Sequence, residues 1–251
     1  MKDIKFVTNA PALLAGKTLV VADLHIGIEQ EFFRSGIRIP SQTDKIKQKI
    51  CSIIKATGTE RLVILGDLKH RIPGTSFQEE REIPEFLDRL SRKIRAVEIV
   101  PGNHDCGLKS FVDRKIKIHP NRGVFLPKEK VYLMHGHSWP AGGFLRAKYV
   151  IIGHSHPQME FKNKLGYRWR LPVWIRTELD RKKLEKRFGA IKKAPELIIM
   201  PAFSEIAGGK AINAYKDGNK KDNRYAVPLL KCIDWKRAKT FLLDGTEVKL
   251  V

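Results

Sequence analysis

Five short apolar runs, each ending in polar residues of a narrow chemical type, constrain this chain more than any other feature: TLVVADLH (18–25), RLVILGDLKH (61–70), VEIVPGNHD (97–105), VYLMHGH (131–137) and YVIIGHSHP (149–157). Runs of this length rich in Val, Ile and Leu read as buried strands. Each delivers His, Asp or Asn just past its end, on the rim where open α/β sheets bind ligands. Between the first two runs, Ser41 and Asp44 suggest a capping box for a helix carrying Ile46, Ile50, Ile53 and Ile54 at helical spacing. Between the next two, REIPEFLDRLSRKIR supplies Phe86, Leu87, Leu90 and Ile94. Strand, helix, strand, helix, strand implies a largely parallel sheet. After residue 157 the pattern shifts to strands: LPVWIRTEL (171–179), ELIIMPAF (196–203) and FLLDGTEVKLV, with Asp244-Gly245 as a hairpin turn. A second sheet packed on the first accommodates them.

With 251 residues and 42% hydrophobic content, one folded unit over 1–251 is expected. The 48 Lys+Arg against 27 Asp+Glu give a formal net charge of +21, which suits a polyanionic partner and equally suits solubility in a salty or hot cytoplasm. Cys51, Cys106 and Cys232 are odd in number and far apart, as expected of core thiols in a reducing compartment. No apolar run reaches the roughly 18 residues of a membrane span, and the first residues lack a long apolar core before the first Asp, Asp3. A cytoplasmic protein with no membrane partner is expected.

Asp23 and His25 stand two apart, as do His154 and His156, so each pair can face one side of an extended segment. Asp67 follows Gly66, Asn103 follows Gly102, and His135 precedes Gly136. Carboxylate oxygens with imidazole nitrogens suit divalent ions such as Mn, Fe or Zn, and an Asn carbonyl adds a hard oxygen. Two ions about 3.5–4 Å apart can share one carboxylate and clamp both ends of a phosphoryl displacement. Taken singly, each residue has a plainer reading: a His at a strand end is usually a hydrogen-bonded structural residue, and Gly-Asp is usually a turn. Five independent strand ends with the same chemistry outweigh those readings.

Together these motifs resemble the calcineurin-like metallophosphoesterase superfamily, whose pattern runs DxH, GD, GNHD or GNHE, an isolated His, then GHxH. Here it reads Asp23-Leu24-His25, Gly66-Asp67, Gly102-Asn103-His104-Asp105, His135-Gly136 and Gly153-His154-Ser155-His156, all within 23–156. The resemblance implies a four-layer αββα sandwich, with 157–251 completing the second sheet, and a binuclear metal centre holding Mn foremost, with Fe, Zn, Ni or Mg as alternatives. Asp23, His25, Asp67 and His156 would hold one ion and Asp67, Asn103, His135 and His154 the other. His137 competes with His135, and the His-Gly pair of the pattern matches 135 and 136. By the same likeness the nucleophile is a metal-bound hydroxide, His104 faces the substrate as a charge stabiliser or acid, and Asp105 orients His104.

Within the superfamily, GDLKH (66–70) resembles the GDLFH-type motif of the SbcD and Mre11 nucleases, which makes His70 a substrate-facing candidate; a supporting or surface role is the other reading. HIGIEQEFFRSGIRIPSQT (25–43) and IIMPAFSEIAGG (198–209) look like the archaeal SbcD/Mre11-related (ICC-like) phosphoesterases and the bacterial DNA-ligase-associated phosphoesterases, relatives of which often dimerise. Residues 162–193 hold twelve Lys+Arg against three Asp+Glu, interleaved with Tyr167, Trp169 and Trp174. Such a surface suits nucleic acid, although Trp174 in an apolar run reads as core, and RKKLEKRF reads as an ordinary amphipathic helix. Three functions are open to such a chain: a metal-dependent phosphodiesterase acting on DNA or RNA, a hydrolase of small phosphoesters such as cyclic or dinucleotides, and a non-catalytic module in the manner of the retromer subunit Vps29. The retained His104 and the full ligand set favour the first two.

Overall fold

The computed structural model describes residues 4–213 and 227–249. The first sheet uses the strands in chain order: β1 (Ile4–Phe6), β2 (Ala12–Ala15), β3 (Thr18–Val21), β4 (Arg61–Leu65), β5 (Ala96–Val100) and β6 (Lys117–Ile118). From β3 to β6 the pairing is parallel, as expected from the alternation with helices, and β1–β2 adds an antiparallel edge. A second sheet holds β7 (Val124–Leu126), β8 (Val131–Leu133), β9 (Tyr149–Ile152), β10 (Pro157–Lys162), β11 (Arg168–Glu178), β12 (Glu196–Ile199), β13 (Lys210–Ala211), β14 (Lys239–Leu242) and β15 (Glu247–Val248). Its central strands β8, β9 and β12 are parallel, whereas the flanking pairs β7–β8, β10–β11 and β11–β12 are antiparallel.

Period-two alternation decides which residues go where. Val20, Ala22, Val63, Leu65 and Val100 of the first sheet meet Leu133, Ile151, Trp174, Ile198 and Met200 of the second in a core between the sheets. Trp174 is buried there, its ring centroid 4.6 Å from that of Phe6. The alternate residues Leu19, Val21, Leu62, Ile64 and Ile99 face outward onto α2 (Thr43–Thr57) and α3 (Phe77–Ser91), which follow the short α1 (Glu29–Arg34). Ile46, Ile50, Ile53, Ile54, Phe86, Leu87, Leu90 and Ile94 all lie in that outer core, as their spacing predicts. The outer face of the second sheet packs on one eight-residue helix, α4 (Arg181–Phe188), through Leu184, and on short 3-10 turns around Phe144 and Leu229. Two sheets between helical layers make the αββα arrangement, with a thinner layer on the second sheet.

The capping box sits elsewhere than expected. Gln42, not Ser41, caps α2, without a side-chain bond, because Ser41 and Thr43 both donate to Glu82 of α3. The reciprocal box belongs to α3: Ser76 accepts from the Glu79 N–H, and Glu79 accepts from the Ser76 N–H. The Glu79 carboxylate also takes the N–H groups of His70 and Arg71, at 2.8 and 2.6 Å. No helix among the described residues is long and apolar enough to cross a membrane.

Candidate metal centre

The five apolar runs end on one rim, where the two sheets meet. Past β3 and β4 the chains stay side by side: Asp23 N–H donates to Gly66 O, His25 N–H to Asp67 O and Ile26 N–H to Leu68 O. Past β8 and β9, Gly153 N–H donates to His135 O. The segment after β12 closes over the first sheet, Phe203 N–H donating to Ala22 O at 2.8 Å, a link that no sequence motif announces.

To crowd the donors this tightly the backbone turns sharply. Asp23, His25, Asp67, His154 and His156 all have φ between 41° and 67°, a region that L-residues with a Cβ rarely occupy. Gly66 and Gly102 permit the closest approaches. A Cβ on Gly66 would stand 2.1 Å from His135 Nδ1, and one on Gly102 2.1 Å from Asp67 Oδ1.

Three clusters of donor atoms result among the described residues: His25, His70 and His104 form one without a carboxylate, and the other two sets each contain one. Asp67 Oδ2 and Asn103 Oδ1 each lie 3.2 Å from His135 Nε2, and His154 Nδ1 lies 3.0 Å from the same nitrogen. In the second set, His156 Nε2 is 3.4 Å from Asp23 Oδ1 and 3.3 Å from His25 Nε2. Asp67 Oδ2 stands 3.8 Å from His25 Nε2, so it touches both sets. Neighbouring ligands bound at about 2.1 Å around one cation are themselves about 3 Å apart, the spacing seen here. His135 also points its Nδ1–H at the Leu65 carbonyl, which frees Nε2 as a donor atom. The residues therefore fit divalent cations, and His/Asp clusters able to bind metal are present. His137 belongs to neither set; its ring is half-buried, 5.4 Å from that of His135.

Electrostatics agree. For Asp23 and Asp67, burial pushes the carboxyl pKa up, but His156 beside Asp23 and His135 beside Asp67 outweigh it and hold both below the usual carboxylate range. Reciprocally, burial opposes charge on His135, and Asp67 overcomes it, raising His135 to about 9; Asp23 raises His156 in the same way. Burial and the neighbouring imidazoles push His25 down to about 3 and His154 to about 4. The two buried carboxylates thus favour positive charge on His135 and His156, and a cation can take the place of a proton.

The remaining sequence candidates fall into place differently. His104 donates its backbone N–H to Asp67 Oδ1 at 3.0 Å, and its Nδ1 meets the His70 carbonyl. Since a carbonyl only accepts, Nδ1 carries the proton and Nε2 is left toward the rim. Asp105 does not orient His104 as expected. It is buried, and its two oxygens accept from the N–H groups of Gly102 at 2.8 Å and Lys69 at 3.2 Å, tying two strand ends together; burial, opposed by the Gly102 bond, lifts it to about 6. His70 bridges Glu31 (2.6 Å) and His25 Nδ1 (3.2 Å), which favours its supporting reading. Three residues without a sequence signal complete the surroundings: Glu31 of α1, Glu79, and the fully buried Lys69, whose ammonium donates to the Arg71 and Gly74 carbonyls and so shapes the loop beyond His70.

A family model described as "Calcineurin-like phosphoesterase" matches residues 16–169. No curated protein matches the chain. Among solved structures, a nuclease, MPE, from Pseudomonas putida superposes with a TM-score of 0.51 at 22% identity, covering 80% of this chain and 82% of that one. Yfce, a phosphoesterase from E. coli, gives a TM-score of 0.37 at 19% identity over 58% of this chain and 73% of its own.

Proposed function

The chain belongs to the calcineurin-like phosphoesterase family, and from that premise we propose that it hydrolyses phosphodiester bonds in DNA or RNA at a pair of divalent cations, manganese foremost. One observation carries the reading: seven donors from both sheets converge in two sets that share Asp67. Asp23, His25, Asp67 and His156 would hold one cation, and Asp67, Asn103, His135 and His154 the other. Bound there, the cations supply Lewis acidity toward phosphoryl oxygens and a water of lowered pKa.

The protein's own groups do the rest. Asp67 sets the spacing of the two sets, and Gly66 and Gly102 let the donors approach it. His104, fixed through Nδ1 by the His70 carbonyl, presents Nε2 to the leaving oxygen, where a protonated imidazole neutralises charge and delivers the proton. His70 and Glu31 fix the ring of His25 from behind. Support for a polynucleotide comes from the +21 charge and from the basic segment 162–193, with the shared fold of the Pseudomonas putida nuclease adding to it.

The test is hydrolysis by metal-stripped protein, reloaded with Mn²⁺, of a labelled single-stranded oligonucleotide and a small chromogenic phosphodiester. Cleavage of both, abolished in Asp67→Asn, is expected. Turnover of the small diester alone would redirect the assignment to small nucleotides, and turnover of neither would sink the catalytic reading.

A further inference from the structure

Strand β10 begins at Pro157, directly after His156, and carries the chain away from the donor cluster. Five residues beyond His156, Phe161 stands opposite Trp169 of β11 in the hairpin register. Alternation puts Phe161, Tyr167, Trp169 and Leu171 on one face and Glu160, Arg168 and Arg170 on the other. On the first face three rings lie nearly parallel in a row. Trp169 is 5.7 Å and 17° from Phe161, and 6.0 Å and 24° from Tyr167. Phe161 is partly buried against the outer core, whereas Trp169 is 37% and Tyr167 67% exposed, with Leu165 at the tip 94% exposed.

The hairpin beneath this row is well braced. Asn163 Oδ1 accepts from the Leu165 and Tyr167 N–H groups, and the Asn163 N–H donates to Tyr167 O, all at 3.0 Å. On the reverse face Glu160 accepts from Arg168 at 2.6 Å and Arg170 at 3.0 Å. Lys162, Lys164, Arg168 and Arg170 outnumber this single acid, so the hairpin keeps a net positive charge. Partly exposed aromatic rings on one face of a hairpin of net positive charge, Tyr167 at the end of the row being the most open, suit unpaired bases on a phosphate backbone; the bases of a duplex are already stacked on one another and offer no free face. At about 3.3 Å per strand residue, Phe161 lies roughly 17 Å from His156, the length of about five nucleotides stacked at ~3.4 Å.

We propose that the exposed aromatic face of the β10–β11 hairpin, Tyr167 and Trp169 backed by Phe161, stacks unpaired bases of a single-stranded polynucleotide whose scissile phosphate lies at the donor cluster. It rests on the polynucleotide reading of the site and names the substrate's form: single-stranded, and engaged several nucleotides from the cut. One β-strand then measures the distance between chemistry and grip.

The experiment compares Mn²⁺-loaded wild type, Tyr167→Ala, Trp169→Ala and the double variant on a single-stranded DNA oligonucleotide and on the small chromogenic diester. Base stacking predicts a KM for the oligonucleotide raised roughly tenfold per ring, with kcat held, and an unchanged small-diester reaction. A second arm leaves the protein intact. Abasic nucleotides placed about five positions from the cut should raise the wild-type KM and have no further effect on the double variant. Should the oligonucleotide KM stay within twofold in both arms while cleavage persists, the platform is wrong and the nuclease reading stands. Wild type that turns over the diester but neither cleaves nor binds the oligonucleotide would remove both. A concentration-dependent dimer that the variants dissolve would identify the face as a contact between copies and overturn the proposal.

Discussion

The same strands form both ends of the sandwich, yet the two ends handle carboxylate charge in opposite ways, partly exposed at one and buried at the other. Where the strands begin, a cavity of about 630 Å³ is lined by Lys17, Arg61, Arg95, Lys128, Glu60 and Glu129. There the acids meet permanent cations: Arg61 lies 3.4 Å from Glu129, and the Lys17 ammonium contacts Glu60. Where the strands end, the side chains set against Asp23 and Asp67 are imidazoles, whose protons can leave. A guanidinium neutralises a carboxylate for good, whereas a histidine does so until a metal cation arrives. The backbone differs as well. Left-handed donors crowd one end, and at the other Gly58, with φ 61°, ends α2 with open space beside it.

The contrast can be attacked from the strongest side first. Asp67→Asn removes the shared carboxylate, and small-diester turnover should fall on the order of 10³-fold together with bound metal, while Glu129→Gln at the far end should leave turnover within about twofold. Equal losses in the two would erase the distinction. His104→Ala should lower kcat by roughly 10²–10³-fold with metal content intact, as elemental analysis and steady-state kinetics would show; full activity would remove its role.

A third comparison concerns the backbone alone. Gly102→Ala drives a Cβ to 2.5 Å from the Asp67 nitrogen, and denaturant unfolding should show a loss of about 2–4 kcal/mol with failure to load metal. Gly58→Ala should cost only about 1 kcal/mol and leave activity untouched. The smallest effect is electrostatic. Hydrogen bonding from His119, opposed by burial, holds the Glu98 carboxyl below its ordinary value of 4.5. Its stabilisation is complete above 4.5 and is lost as pH falls through the lowered folded value. Glu98→Gln should therefore cost up to about 1 kcal/mol at neutral pH and converge with wild type in acid, in a denaturation series against pH.

The rim residues were legible because strand endings are a local signal: an apolar run stops, and the residues immediately after it must lie at the sheet's edge. The outer core was legible for the same reason, since Ile46 to Ile54 and Phe86 to Leu90 repeat with the helix. Partnerships across the rim were not. Asp105 sits beside His104 in the chain, yet its oxygens go to Gly102 and Lys69, because the tight turn after β5 aims them back into the sheet. No spacing rule reports that Glu31 reaches His70, or that Ser41 would be drawn from its cap by Glu82. Those choices depend on which elements pack together, and a single sequence states that only indirectly.

The five left-handed donors set thermal tolerance and chemistry against each other at the same positions. Glycine at any of them would relieve about 1 kcal/mol of backbone strain and delete a donor. A laboratory selection for heat resistance alone would thus be rewarded for dismantling the centre one residue at a time, and would arrive at a sturdier, inert scaffold with its basic exterior unchanged.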